Sequence, residues 1–177
     1  MKRTILLICV LVLIFVGAYL AYQALLPSSP PERWELTDEG EFFYDFAAED
    51  QAGNAVRFSD FIDRPTVAFF WTSWCGACKL GMEILEFLYE QLDDEVQILA
   101  VNLSTLGNRE LIHGREFMEE SDLPFFSIYD INGEAVHLYG LNAVPVMLFI
   151  GTDGRVHHRH LGVMGIDSML DMIDQLR

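Results

Sequence analysis

Thr66-Val67-Ala68-Phe69-Phe70-Trp71-Thr72-Ser73-Trp74-Cys75-Gly76-Ala77-Cys78-Lys79 is the stretch that decides how this chain is read. Its first six residues are β-branched, apolar or aromatic without a break, the pattern of a strand buried on both faces. From Cys75 to Leu92 the spacing turns helical: Leu80, Ile84, Leu85, Leu88 and Leu92 recur every three or four residues, and Glu83, Glu86 and Glu90 mark a wet face. Two cysteines therefore open a helix that follows a buried strand. There the first thiol meets the positive end of the helix dipole and unpaired backbone N–H groups, which favour the thiolate. Cys75 is the expected nucleophile. Cys78 lies within bonding reach over the first turn and is expected to resolve a mixed disulfide. Lys79 either adds a positive charge near Cys75 or is a solvated surface lysine.

The cysteines do not staple a scaffold, because a C-x-x-C bridge closes almost no loop. They could also be half of a metal site. A structural zinc usually takes four ligands, often from two such pairs, and no second pair exists here. His158 and His160 are expected to share one face of a strand, as a polar face rather than a metal site.

Outward from the cysteines, the chain alternates strand and helix. Phe42–Phe46 and Ala55–Phe58 are expected to form a hairpin across the turn 49–54, and Ser59–Asp63 one helical turn ended by Pro65. Strands follow at 96–103, 125–129, 146–150 and 156–161, the last two joined by the tight turn 152–155. Helices are expected at 108–120, 135–139 and 166–176. Such alternation implies an α/β domain with a mixed sheet, helices on both faces and right-handed crossovers in its first half.

The N-terminus differs in kind. After Met1-Lys2-Arg3, residues 4 to 26 run for 23 residues without a charge. As a helix they would span about 34 Å, enough for a hydrocarbon core of about 30 Å. We read 1–26 as a transmembrane signal-anchor and 27–39 as a linker, stiffened by Pro27, Pro30 and Pro31. A cleaved signal peptide is the rival reading, although its apolar region is usually shorter and ends in a small-x-small site, where Tyr19-Leu20-Ala21 has a large residue. Cys9 reads as a small apolar residue of the span. Lys2 and Arg3 should stay in the cytoplasm, which puts the C-terminal domain outside it, on the periplasmic or outer side of a bacterial cytoplasmic membrane. The net charge is −16, and without Lys2 and Arg3 there are 9 basic residues against 27 acidic ones, a net of −18. That argues against nucleic acid and anionic headgroups as partners.

The segment 70–79 resembles the Phe-Trp-Ala-x-Trp-Cys-x-x-Cys-Lys segment of thioredoxins. The N-terminal hairpin with Phe58-Ser59-Asp60-Phe61 is similar to the leading segment of the membrane-anchored ResA/TlpA-like branch. Ala143-Val144-Pro145-Val146-Met147-Leu148-Phe149-Ile150-Gly151-Thr152-Asp153-Gly154 resembles that branch's Val-Pro-Thr-x-Phe-Leu-Ile-x-x-x-Gly block. The resemblance covers residues 40–177. It implies a thioredoxin fold with an N-terminal hairpin extension. It also implies Cys75 and Cys78 as the catalytic pair, and Trp74, Gly76, Ala77, Val144 and Pro145 as the substrate-binding surface. Pro145 would be cis and face the disulfide, and Val144 would offer backbone hydrogen bonds to substrate. No cofactor beyond the redox-active disulfide is implied. The partners implied are oxidised protein thiols, with the haem-attachment cysteines of apocytochrome c as one candidate, and a membrane-embedded electron donor.

The chain also departs from the pattern. The buried acid of thioredoxins, six residues before the first cysteine, is Phe69. The glutamate of the ResA-like branch, three residues after the second, is Gly81. Glu83 stands where the family has a helix proline, Val146 where it has threonine, and Gly76-Ala77 between the cysteines. These changes leave Cys78 without an identified proton acceptor, with water as one possibility. Two other functions compete. A peroxiredoxin-like thiol peroxidase is suggested by Thr72, three residues before Cys75, although the proline of that motif is Ala68. A copper-binding or delivery module would use Cys75, Cys78 and a histidine.

Overall fold

The computed structural model describes Val16, which is helical, and residues 40–92 and 95–176. The rest of the expected anchor, 1–26, and the expected linker, 27–39, lie outside the described residues. Among the described residues no helix is long and apolar enough to cross a membrane.

The strands are β1 (Ala47–Glu49), β2 (Ala55–Arg57), β3 (Thr66–Trp71), β4 (Gln97–Asn102), β5 (Phe126–Tyr129), β6 (Val146–Ile150) and β7 (Val156–Leu161). The helices are α1 (Gly76–Tyr89), α2 (Glu110–Ser121), α3 (Glu134–Leu138) and α4 (Ile166–Asp174), with one 3-10 turn at Phe58–Phe61. The seven strands lie in the order β2-β1-β5-β4-β3-β6-β7. β3, β4 and β5 run parallel; β6 is antiparallel to β3, and β7 to β6.

Every residue of β3 is buried. Its two-residue period divides it between two cores. Val67, Phe69 and Trp71 face a core shared with Met82, Leu85 and Leu88 of α1, Met118 of α2, and Met169 and Ile173 of α4. Ala68 and Phe70 face a second core with Phe46, Phe58, Ala135 of α3 and Tyr139. Helices thus cover both faces, as the alternation implied.

Two expectations need correction. The first strand of the hairpin is Ala47–Glu49, not Phe42–Phe46, with Ala47 opposite Arg57. The aromatic run lies instead along the β6–β7 turn, where the Phe43 N–H donates to Gly154 O at 3.0 Å. It feeds the second core: Phe46 stacks on Phe58 at 4.8 Å, and Tyr139 accepts from Tyr44 N–H at 2.8 Å. Arg115 of α2 ties this hairpin down through Glu49 at 2.7 Å, its guanidinium lying over the Tyr129 ring of β5 at 4.3 Å.

The second correction concerns α1. Leu80, expected on its buried face, is half exposed; Leu85 and Leu88 are buried as expected, and Cys78, Gly81 and Met82 complete that face. Cys78, Met82 and Leu85 are spaced four and three apart, so a buried Cys78 sets the phase of the helix.

Candidate active site

β3 ends at Trp71, and the loop Thr72–Trp74 turns into α1. Cys75 N–H closes that turn on Thr72 O at 3.2 Å. Cys75 is the N-cap of α1, in extended conformation, and its sulfur accepts from the Cys78 N–H at 3.1 Å. One of the orphan donors of the helix N-terminus is therefore aimed at Sγ, which suits a sulfur bearing negative charge. Cys75 and Cys78 form a disulfide, their Cα atoms 5.2 Å apart. Cys75 is 7% exposed and Cys78 fully buried, so an incoming sulfur can reach only Cys75.

β6 lies beside β3, with Phe70 opposite Val146. That pairing brings Val144-Pro145, some 70 residues downstream, against the disulfide. The Val144–Pro145 peptide is cis. Val144 O lies 3.8 Å from Cys75 Sγ. A disulfide sulfur carries no proton, so this is a contact; on reduction the same oxygen can accept from the thiol. Trp74 is 62% exposed, and its indole N–H donates to Leu106 O at 2.8 Å. Gly107 lies under the indole, where a Cβ would come within 3.0 Å of Nε1. Gly76 and Ala77 are exposed beside Cys75, with open space around Gly76. The structure thus sets Val144 O against Cys75 Sγ, the more accessible sulfur of the pair, with Pro145 next in the chain and Trp74, Gly76 and Ala77 adjoining Cys75 in sequence.

The two positions that lack the family's acids touch each other. A Cβ on Gly81 would lie 2.7 Å from Phe69 Cζ. The phenyl ring occupies the space that a side chain at 81 would need, and Cys78 sits in the same apolar core. Glu83 is exposed on the helix and does not replace them. Lys79 is also exposed and turns its Nζ over the Phe117 ring at 5.4 Å.

One residue at this site escaped the sequence reading. Glu110, the first residue of α2, is 2% exposed, and its carboxylate accepts from Ser73 N at 2.6 Å, Ser73 Oγ at 2.7 Å and Asn102 Nδ2 at 2.8 Å. An acid opening a helix was the only local signal, and it is common.

Neither competing function gains support. The Thr72 hydroxyl is buried and makes no hydrogen bond, so it donates nothing to Cys75 Sγ. Among the described residues no cluster of three His, Cys, Asp or Glu side chains could hold a metal ion, so a copper reading finds no third ligand beside the cysteines. His158 and His160 do share a face, 6.3 Å apart, and line a cavity of about 390 Å³ against α4.

With this geometry in view, the comparisons are consistent. The Redoxin family pattern matches residues 38–173. The thiol-disulfide oxidoreductase ResA of Oceanobacillus iheyensis is 30% identical over 123 residues, which are 69% of this chain and 62% of that protein. ResA of Bacillus cereus is 27% identical over 158 residues, 88% of this chain and 86% of the relative. The exposed lipoprotein thioredoxin Etrx1 of Streptococcus pneumoniae shares the fold, with a TM-score of 0.65 at 23% identity, over 75% of this chain and all (100%) of that one. The chain belongs to the Redoxin family, as a thioredoxin-like, ResA-like member built around the Cys75–Cys78 pair.

Proposed function

We propose that this thiol–disulfide oxidoreductase reduces protein disulfides outside the cytoplasm, held to the membrane by residues 1–26. The observation that carries the chemistry is the Cys78 N–H aimed at Cys75 Sγ at the start of α1, with Cys75 the more accessible of the two sulfurs. In the reduced enzyme, the Cys75 thiolate attacks one sulfur of a substrate disulfide. The substrate S–S bond breaks, one substrate cysteine leaves as thiolate, and a mixed disulfide forms. Cys78 then gives up its proton and attacks Cys75 Sγ. The second substrate thiol leaves, two electrons have passed to the substrate, and the Cys75–Cys78 disulfide remains. A membrane-embedded dithiol donor returns the electrons by the reverse exchange.

Trp74, Gly76, Ala77, Val144 and Pro145 form the docking surface in this reading. The exposed indole offers an apolar platform, and the Val144 backbone offers hydrogen bonds to an extended substrate segment. Haem-attachment cysteines of apocytochrome c are a substrate of fitting chemistry. Phe69 and Gly81 stand where the family carries its acids, so in this reading water at the opened site takes the Cys78 proton. The anchor and the extracytoplasmic side rest on the uncharged run 4–26 and on Lys2 and Arg3 before it.

The test is the reduction potential of the pair in the full-length protein, equilibrated against defined thiol buffers. A reductant should fall near thioredoxin's value of about −270 mV, whereas a value near the DsbA figure of about −120 mV would make the protein a disulfide donor and overturn the direction proposed.

A further inference from the structure

Glu110 is a carboxylate nine-tenths and more buried, and the exchange chemistry above does not use it. Burying such a charge is costly unless donors replace its water. Here three do: the Ser73 backbone N–H, the Ser73 hydroxyl and the Asn102 amide. Glu110 also opens α2, whose N-terminal dipole favours an anion. Asn102 in turn accepts from Ser104 Oγ at 2.9 Å. Gly114, one turn along α2, leaves room for it: a Cβ there would come within 2.6 Å of Asn102 Nδ2. Arg109, just before Glu110, has φ 62°, a left-handed conformation that costs a non-glycine residue. The segment 104–110 is thus bent so that an acid reaches the loop before Cys75.

That loop is tied to the same segment at a second point. The residue after Ser73 is Trp74, and its indole N–H is held by Leu106 O. We propose that Glu110 is a positioning residue of the redox loop, whose carboxylate clamps Ser73 to the start of α2 and so holds the Trp74 platform in place for protein substrates. The sulfur has its own support in the Cys78 N–H from α1, so loss of the clamp falls on docking before it falls on exchange. The functional half of this inference rests on the reading of Trp74 as part of a docking surface; the clamp itself does not.

The test uses the full-length protein with its three tryptophans labelled with nitrogen-15, the Trp74 indole N–H signal being assigned by its loss in Trp74→Phe. In Glu110→Ala, that signal should move and its exchange with water should quicken at least about tenfold, as expected when hydrogen bonds to a charged group are lost. Glu110→Gln should restore the wild-type signal, because its oxygen still accepts from Ser73 and Asn102 while the serine hydroxyl turns to accept from the amide. With insulin as the protein disulfide, Glu110→Ala should raise KM about tenfold and change kcat less than about twofold. Should Glu110→Ala fail to fold, Ser73→Ala removes one contact only and should move the indole signal in the same direction by less. An unmoved indole signal in both variants overturns the clamp. A moved signal with KM and kcat lowered or raised together overturns its role in docking. Failure of the wild type to reduce insulin overturns the protein-reductase reading, and the indole signal still decides the clamp.

Discussion

Gly81→Ala should destabilise the domain, although alanine is the better helix former. In a helix interior the exchange alone favours alanine by about 0.8–1.0 kcal/mol. Against this stands the 2.7 Å approach of a Cβ to Phe69 Cζ, with a second contact of 3.0 Å to Cε2. The ring cannot easily withdraw. Phe69 is fully buried, and its backbone is fixed between Ala100 of β4 and Met147 of β6. Forcing an extra methyl into such a core costs about 1–3 kcal/mol. The net expected is a loss of about 1 kcal/mol, the difference between those two effects. In a Phe69→Leu background the obstructing ring is gone, and Gly81→Ala should become stabilising by about the helix-propensity amount. The coupling between the two sites is then about 2 kcal/mol, within the range for residues in contact. Guanidinium unfolding of the oxidised protein, followed by tryptophan fluorescence, measures all four corners of the cycle. If Gly81→Ala stabilises the protein in the presence of Phe69, the ring does not fill that space and the reasoning fails. The same packing predicts that an acid at position 81 cannot be introduced beside Cys78 until residue 69 is made smaller.

Two further outcomes are expected. Cys75→Ser should abolish exchange, while Cys78→Ser should accumulate mixed disulfides through Cys75, identified by mass spectrometry of the trapped peptides; adducts on Cys78 in a Cys75→Ser protein would reverse the roles. Burial pushes the Tyr139 phenol well above its ordinary range, and the hydroxyl donates to Tyr44 O at 2.6 Å. A group whose folded value is raised contributes stability that is complete below its unfolded value, about pH 10 for tyrosine, and that fades above it. Unfolding free energy should therefore fall as pH rises beyond about 10, and Tyr139→Phe should lose about 1–3 kcal/mol at pH 7 and show a shallower alkaline fall.

How much of this was legible in the sequence depended on whether the cause was local. Thr66–Trp71, Val146–Ile150 and Val156–Leu161 were read at their observed bounds, because uninterrupted apolar runs and a tight turn identify strands without help from elsewhere. The hairpin slipped because its register is set from a distance, by Phe46 against Phe58 and Tyr44 against Tyr139. Within the aromatic run nothing marks which residues pair and which pack. At the site, the cysteines announced themselves by spacing and helix position. Val144 and Pro145 were reached only through the family resemblance, since their place depends on β6 lying beside β3. Glu110 depends on three segments, 73, 102 and 104–110, meeting in space, and no periodicity records that.

The phase of α1 shows chemistry overruling a pattern that was read correctly as a pattern. Leu80, Ile84 and Leu88 do form an apolar row, and a helix chosen for burial alone would turn them inward. Instead only Leu88 of that row is fully buried, Ile84 is partly buried, and Leu80 is half exposed. The helix begins at a cysteine whose sulfur must face outward enough to meet a substrate, and its partner three residues on must lie under it to close the disulfide. With Cys75 as N-cap and Cys78 fully buried, the inward stripe is fixed before any leucine is placed. Met82, Leu85 and Leu88 then follow Cys78 into the core, and Gly81 falls where Phe69 leaves no room for a side chain. Leu80 is left outside, one turn along from the exposed Gly76 and Ala77. A redox pair at a helix start therefore fixes the rotation of the helix it opens, and hydrophobic spacing is a sound guide to its buried face only when counted from the second cysteine.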